Sequence, residues 1–255
     1  MLEYPVTCHQ PNALSIRDCP VWVSPFQHSS IPAFGILGFL SPIASCTYPL
    51  ILPPMRTVIL DYDAGNLTSV QRACAHLGQE TQIVRDPTAV DHADRVIFPG
   101  VGAAGSCMSS LEASGLGNAL RRAIASGKPV LAICVGLQLL FERSDEDGGV
   151  PCLGILPGKV VRFQPTDHAL KVPHMGWNDV AFAADEPLAI GLPGRHCYYV
   201  HSYYVEPGPG VRVVAWSDHG VRFCAGIRRD NLAAFQFHPE KSGAVGLKLL
   251  ANFLK

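Results

Sequence analysis

Pro129-Val-Leu-Ala-Ile-Cys134-Val-Gly136-Leu-Gln138 is a short apolar run that turns through Cys-x-Gly into a helical pattern over Leu137 to Arg143. Entered from Ser126-Gly127 and Pro129, such a run reads as a strand buried on both faces. The Cys-x-Gly turn reads as a nucleophile elbow, in which a strand bends sharply into a helix and lifts the residue at the bend out of the sheet. Backbone N–H groups at the helix start then favour an anion, and for a cysteine the anion is the reactive thiolate. A cysteine in an apolar strand is also, in the bland reading, a small buried hydrophobe. The elbow by itself leaves both readings open.

A second segment, Gln236-Phe-His238-Pro-Glu240-Lys-Ser242, lies about a hundred residues further on. A histidine and a carboxylate two residues apart can act as base and orienter to a nucleophile, provided the fold brings them to the elbow. Pro239 removes a backbone donor and bends the chain ahead of a helical run, so the pair belongs on a strand-to-helix loop.

Outward from the elbow, strand and helix patterns alternate. Thr57 to Asp61 reads as a buried strand, Leu67 to Leu77 as a helix stopped by Gly78, and Thr81 to Val84 and Arg95 to Phe98 as strands. Met108 to Ala125 reads as one further helix. After Gly158 the periodicity predicts short strands at Lys159 to Phe163, Tyr198 to Val205, Val211 to Trp216, Arg222 to Ile227 and Ala233 to Phe237, then a helix over Ser242 to Leu254. The expected class is α/β: a mostly parallel central sheet with helices on both faces and antiparallel strands added late in the chain. Loops at the carboxyl ends of such strands carry the function. Pro99-Gly-Val-Gly102 follows a predicted strand and can reach the edge where Cys134 lies, although an ordinary glycine-rich turn is the plain local reading.

Ala-Ile-Cys134-Val-Gly136-Leu-Gln138 together with Phe-His238-Pro-Glu240 resembles the class I, Cys-His-Glu, glutamine amidotransferases. Asp61-Tyr-Asp-Ala-Gly65-Asn66-Leu67, Pro99-Gly-Val-Gly102, Val172-Pro-His174-Met-Gly-Trp177-Asn178, Tyr199-Val-His201-Ser-Tyr203 and Phe237-His-Pro-Glu-Lys-Ser242 narrow the resemblance to the glutaminase subunits of imidazole glycerol phosphate synthases. The likeness runs from Met55 to Lys255. It implies a catalytic triad of Cys134, His238 and Glu240, with glutamine and oxyanion contacts from Gly102, Val135 and Gln138 and a main-chain cradle at His201, Ser202 and Tyr203. It also implies a TIM-barrel cyclase partner that consumes the ammonia to make imidazole glycerol phosphate in histidine biosynthesis, an interface near Asn66, Trp177, Tyr198 and Lys241, a cytoplasmic location, and neither metal nor cofactor. Ignoring the family, those four interface residues read as a helix cap, a core aromatic, a strand aromatic and a solvated lysine. One departure is Ala132, two residues before the nucleophile, where the family most often has glycine. Rival readings are another stand-alone amidotransferase, an interaction subunit with a decayed site, and a cysteine hydrolase acting on peptides.

Composition is consistent with this and excludes little. Hydrophobic residues make up 48% and charged residues 16% of 255, enough for a sizeable core, and a net charge of -1 gives no reason to expect nucleic acid or an anionic membrane as partner. The nine cysteines contain no Cys-x-x-Cys pair and suggest neither a disulfide framework nor structural zinc. Residues 1–54 differ in kind from the amidotransferase region at 55–255. They hold nine of the 21 prolines, and Arg17 is their only Lys or Arg. Ile31 to Leu40 is too deep in the chain for a signal core and too short for a membrane span, and Ile43-Ala-Ser-Cys46 has the look of a lipoprotein cleavage site without a charged region before it. The expectation is a native start at Met55, preceded by an extension that is disordered or never made.

Overall fold

β1 (Thr57–Leu60) is buried along its whole length, as an unbroken Thr-Val-Ile-Leu run requires of a strand covered on both faces. The computed structural model describes residues 55–167 and 169–255; the expectations for residues 1–54 lie outside the described residues. After β1 come α1 (Leu67–His76), β2 (Thr81–Val84), α2 (Pro87–His92), β3 (Arg95–Phe98), α3 (Ala104–Ser114), α4 (Leu116–Ala125), β4 (Val130–Ile133) and α5 (Val135–Leu139). The later chain forms β5 (Arg143–Ser144), β6 (Val150–Pro151), β7 (Gly158–Arg162), β8 (His174–Asp179), β9 (Ala181–Phe182), β10 (His196–His201), β11 (Tyr203–Pro207), β12 (Arg212–Asp218), β13 (Arg222–Arg229), β14 (Leu232–Phe235) and α6 (Gly243–Phe253).

The expected architecture is borne out. Strands β2-β1-β3-β4-β14 form a parallel block, and β13, β11, β7, β5 and β6 continue the same sheet from β14, mainly by antiparallel pairing. α1 packs with α6, while α4 packs with both α2 and α3. The pairing that matters most is β4 with β14, residues a hundred apart in sequence, in the register Ile133↔Phe235. It sets the elbow beside the strand that leads to His238. Ala132 is fully buried at the centre of this block, opposite Phe98 on one side and Ala234 on the other, so its methyl is accommodated.

Three local expectations need correction. The stretch Met108 to Ala125 is two helices, because Gly115 takes φ +72° and turns the chain between α3 and α4. Tyr198 to Val205 is broken at Ser202 into β10, which pairs with β8 in a separate two-stranded sheet, and β11, which joins the main sheet. The helix after the elbow ends at Leu139, and Arg143 is drawn into the sheet opposite Lys159. Helix α2 is additional to the sequence expectations, although its start is marked in sequence: the Asp86 carboxylate accepts from Thr88 N–H at 2.9 Å with Pro87 at the first helical position.

Candidate active site

Cys134 ends β4 with φ +55° and ψ -111°, a conformation that costs an ordinary residue about 1–3 kcal/mol. Its surroundings hold it there. The Cys134 N–H donates to Phe235 O at 2.8 Å, and its carbonyl accepts from Leu137 N–H at 3.0 Å. A Cβ at position 136 would overlap the Phe98 carbonyl, so the tight turn after the nucleophile requires glycine. The sulfur sits 4.0 Å from Val200 O and 3.6 Å from Gln236 Nε2.

His238 leaves β14 beside this elbow and is anchored by its own backbone. Its N–H donates to Tyr198 O at 2.9 Å, while its carbonyl accepts from the Ser242 hydroxyl at 2.6 Å. On the ring, Nδ1 lies 2.9 Å from Glu240 Oε1, both side chains being only 2% exposed. Nε2 makes no hydrogen bond of ordinary distance and angle, and its electrostatic partner is the Cys134 sulfur. Burial by itself opposes a charge on His238. Charge and hydrogen bonding with Cys134, then with Glu240, outweigh burial and push the imidazole up to about 10.

In front of the thiol is a cavity of about 260 Å³ lined by Gly102, Cys134, Val135, Gln138, His201, Ser202 and Tyr203, with Glu146 at its wall. Six sequence-predicted contact residues and Cys134 are thus brought together; His238 and Glu240 do not line this cavity, and His238 is coupled to it through the Cys134 sulfur. Gln138 is buried, and both N–H bonds of its amide are used, to Tyr203 O at 2.9 Å and to Gln236 Oε1 at 3.0 Å. Its Oε1 remains as an acceptor. The Val135 N–H donates to Gly100 O at 3.3 Å. That loop is pinned by the Tyr62 hydroxyl, which donates to Pro99 O at 2.8 Å and fills the space a Cβ on Gly100 would need.

Glu146 is the residue the sequence did not reveal. It comes from a short helical turn at Glu146–Gly148, and its Oε2 accepts from Ala104 N–H at 2.8 Å at the start of α3. Burial pushes its carboxyl up. Only the single-turn loop between β5 and β6 delivers it, and no motif marks that loop.

Three of the other named residues, Trp177, Tyr198 and Lys241, form a separate cluster on the outer side of β8 and β10. Trp177 and Tyr198 are paired across the strands, their rings edge to face at 6.2 Å, and Lys241 Nζ lies 5.9 Å above the Tyr198 ring. Trp177 is 57% exposed, and Met175 on the same face 63%. Trp177 is therefore a surface aromatic, not a core one. Asn66 stands at the start of α1 in the left-handed region, its Oδ1 accepting from the Ser69 hydroxyl at 2.6 Å. Among the described residues, no group of three or more His, Cys, Asp or Glu side chains is placed to hold a metal ion, and no helix is long and apolar enough to cross a membrane.

A buried elbow thiol, a buried His-Glu pair on the segment that follows the neighbouring strand and a glycine loop at one sheet edge are the parts of an acyl-transfer site. The glutamine amidotransferase class-I family model matches residues 58–255, and the chain belongs to that family. The fold agrees: this chain resembles the structure of PurLQS from Thermotoga maritima (TM-score 0.60, 18% identity, covering 79% of this chain and 98% of that one) and a glutamine amidotransferase from the same organism (TM-score 0.54, 14% identity, 74% and 77%). Within the class it groups with imidazole glycerol phosphate synthase subunit HisH. It is 48% identical over 201 residues to that of Syntrophotalea carbinolica, covering 77% of this chain and 98% of the relative, and 47% identical over 203 residues to that of Acinetobacter baylyi, covering 78% and 98%.

Proposed function

We propose that this chain hydrolyses glutamine to glutamate and ammonia as the glutaminase subunit of an imidazole glycerol phosphate synthase, passing the ammonia to a TIM-barrel cyclase subunit in histidine biosynthesis. The observation that carries the reading is the meeting of Cys134 with the buried His238–Glu240 pair behind a cavity of amino-acid size.

Cys134 attacks the carboxamide carbon, and the tetrahedral oxyanion is met by the N–H groups of Gly102 and Val135. The His238 imidazolium gives its Nε2 proton to the amide nitrogen as the C–N bond breaks, so ammonia departs and a glutamyl thioester remains. Neutral His238 then takes a proton from water as it attacks the thioester, and glutamate leaves. Glu240 keeps the proton on Nδ1 and stabilises the charged ring through both half-reactions. At the amino-acid end, the Gln138 Oε1 and the Glu146 carboxylate suit the substrate ammonium, and Ser202 and Tyr203 close the cavity wall.

With Val135 N–H turned to Gly100 O, one oxyanion donor is engaged in the resting loop. Rotation of the Gly100–Val101 peptide frees it, and the flanking glycines make that rotation cheap. The loop Pro99 to Gly102 is the switch by which a bound partner raises turnover. Ammonia is mostly protonated at neutral pH and ammonium is not a nucleophile, so direct transfer to a partner makes chemical sense. The Met175, Trp177, Tyr198 and Lys241 face supplies the aromatic anchors of such an interface. A cytoplasmic location suits free thiols and a cytosolic partner.

The test is glutamate release by this chain alone and with a cyclase subunit holding its nucleotide ligand, with Cys134→Ala as control. Strong stimulation that Cys134→Ala abolishes is expected. Full turnover without the partner refutes the loop switch, and no release in any mixture refutes the glutaminase reading.

A further inference from the structure

A continuous line of hydrogen bonds runs from the outer strand pair to the nucleophile, and one carbonyl fixes the direction of each. Tyr203 O can only accept. His201 Nδ1 lies 2.8 Å from it and must therefore carry the proton, leaving Nε2 as an acceptor. His174 Nδ1 is 3.0 Å from that Nε2 and must donate to it, so His174 Nε2 in turn accepts from the Asn178 amide at 3.2 Å. The same Asn178 amide donates to Asp218 O at 2.7 Å, which holds its nitrogen toward the histidine.

On the other side of Tyr203 O the logic repeats. Gln138 Nε2 donates to that carbonyl at 2.9 Å, so the same nitrogen donates to Gln236 Oε1 at 3.0 Å. With its oxygen occupied, Gln236 has only its amide nitrogen to present at the far end, 3.6 Å from Cys134 Sγ. Gln236 is completely buried, and His174, His201 and Gln138 are each at most 6% exposed, so water does not compete for these groups. Both histidines are kept neutral, chiefly by burial, as the chain of single donors and acceptors requires.

We infer that Gln236 is a further functional residue of this site: its amide N–H donates to the Cys134 sulfur, stabilising the thiolate and fixing its direction, and the Gln138–Tyr203–His201–His174–Asn178 chain keeps that amide from turning over. An N–H···S⁻ bond is charge-assisted, and a flipped amide would set an oxygen against the thiolate instead. This role belongs to the thiol and does not depend on which amide the enzyme cleaves, but its effect on turnover rests on the glutaminase reading above.

The test measures the rate at which iodoacetamide alkylates Cys134, followed by peptide mass spectrometry, in the full chain and in Gln236→Met and Gln236→Glu. Met keeps the volume without the donor; Glu keeps the bond from Gln138 but turns an oxygen to the sulfur. Cys134 alkylation at pH 7 is expected to slow roughly 3- to 10-fold in both, because losing a charge-assisted hydrogen bond lowers the thiolate fraction about 10- to 100-fold while the more basic thiolate reacts faster. Thermal melts of each variant separate this from misfolding, and if Glu does not fold, Met decides. An unchanged alkylation rate in folded Gln236→Met overturns the inference. Long-range proton–nitrogen spectra of the histidine rings give an independent reading: His174 and His201 must both be Nδ1–H, and an Nε2–H tautomer at either removes the fixed polarity. Alkylation slowed in a chain that releases no glutamate would keep this role and refute the glutaminase reading alone.

Discussion

The Cys134 N–H donates to Phe235 O at 2.8 Å, tying the nucleophile's turn to the strand that runs into His238. The elbow is thus held from both sides, by β14 and by the closely packed Phe98 carbonyl against Gly136.

Adding one methyl at Gly136 therefore strikes rigid backbone. Gly136→Ala is expected to lower unfolding free energy by about 1–3 kcal/mol and to disturb the elbow. Urea denaturation checks the first, Cys134 alkylation the second.

Glu240→Gln keeps an acceptor on His238 Nδ1 but removes the charge that helps raise the imidazole. Turnover is expected to fall about 10- to 100-fold. The charged imidazole is lost at lower pH, so the alkaline limb of kcat/KM against pH should move toward neutrality. A full pH profile of both proteins tests this.

Acid should weaken the fold through His174 and His201, whose burial lowers them from 6.5 to about 4 and about 3. As pH falls through 6.5 the unfolded chain takes up protons that the folded chain refuses, so stability drops from about pH 6.5 toward pH 4. Each histidine contributes up to about 1.4 kcal/mol per pH unit. His238 has the opposite sign: its contribution is complete below 6.5 and declines as pH rises from there through about 10, so it adds no slope in acid. Urea titrations between pH 4.5 and 7 should give a shallower slope for His174→Phe.

Glu146→Gln removes the cavity's carboxylate while leaving an acceptor for Ala104 N–H. The expected result is a KM for glutamine raised about tenfold with kcat little changed, the pattern of lost ground-state binding. Steady-state kinetics with the partner present decides it.

Trp177→Ala should leave the isolated chain within about 0.5 kcal/mol of its original stability, because the indole is exposed. Binding of the cyclase subunit should weaken by about 2 kcal/mol, near 30-fold in Kd. Calorimetric titration and a urea melt separate the two effects.

The parallel block was legible because its strands are short, mostly apolar and bounded by turn residues, most clearly at Val130–Ile133. β8 was not legible: His174 and Asn178 face inward while Met175 and Trp177 face out, so a strand that buries polar rings and exposes apolar ones reverses the usual alternation. Gly115 was not legible as a break because glycine inside a helical pattern is compatible with either outcome: Gly117, two residues on, stays within α4.

Residue types and local spacing by themselves marked Cys134, His238, Glu240 and the Pro99 to Gly102 loop as candidates and carried the resemblance to the family, since each motif is a few consecutive residues whose chemistry is local. Tertiary structure alone decided that β4 and β14 are neighbours, that Glu146 enters the cavity, that Val135 N–H is engaged by Gly100, and that Gln236 turns its nitrogen to the sulfur. These depend on strand register and on hydrogen-bond direction between residues up to a hundred positions apart, and no local pattern encodes which acceptor a buried amide will meet.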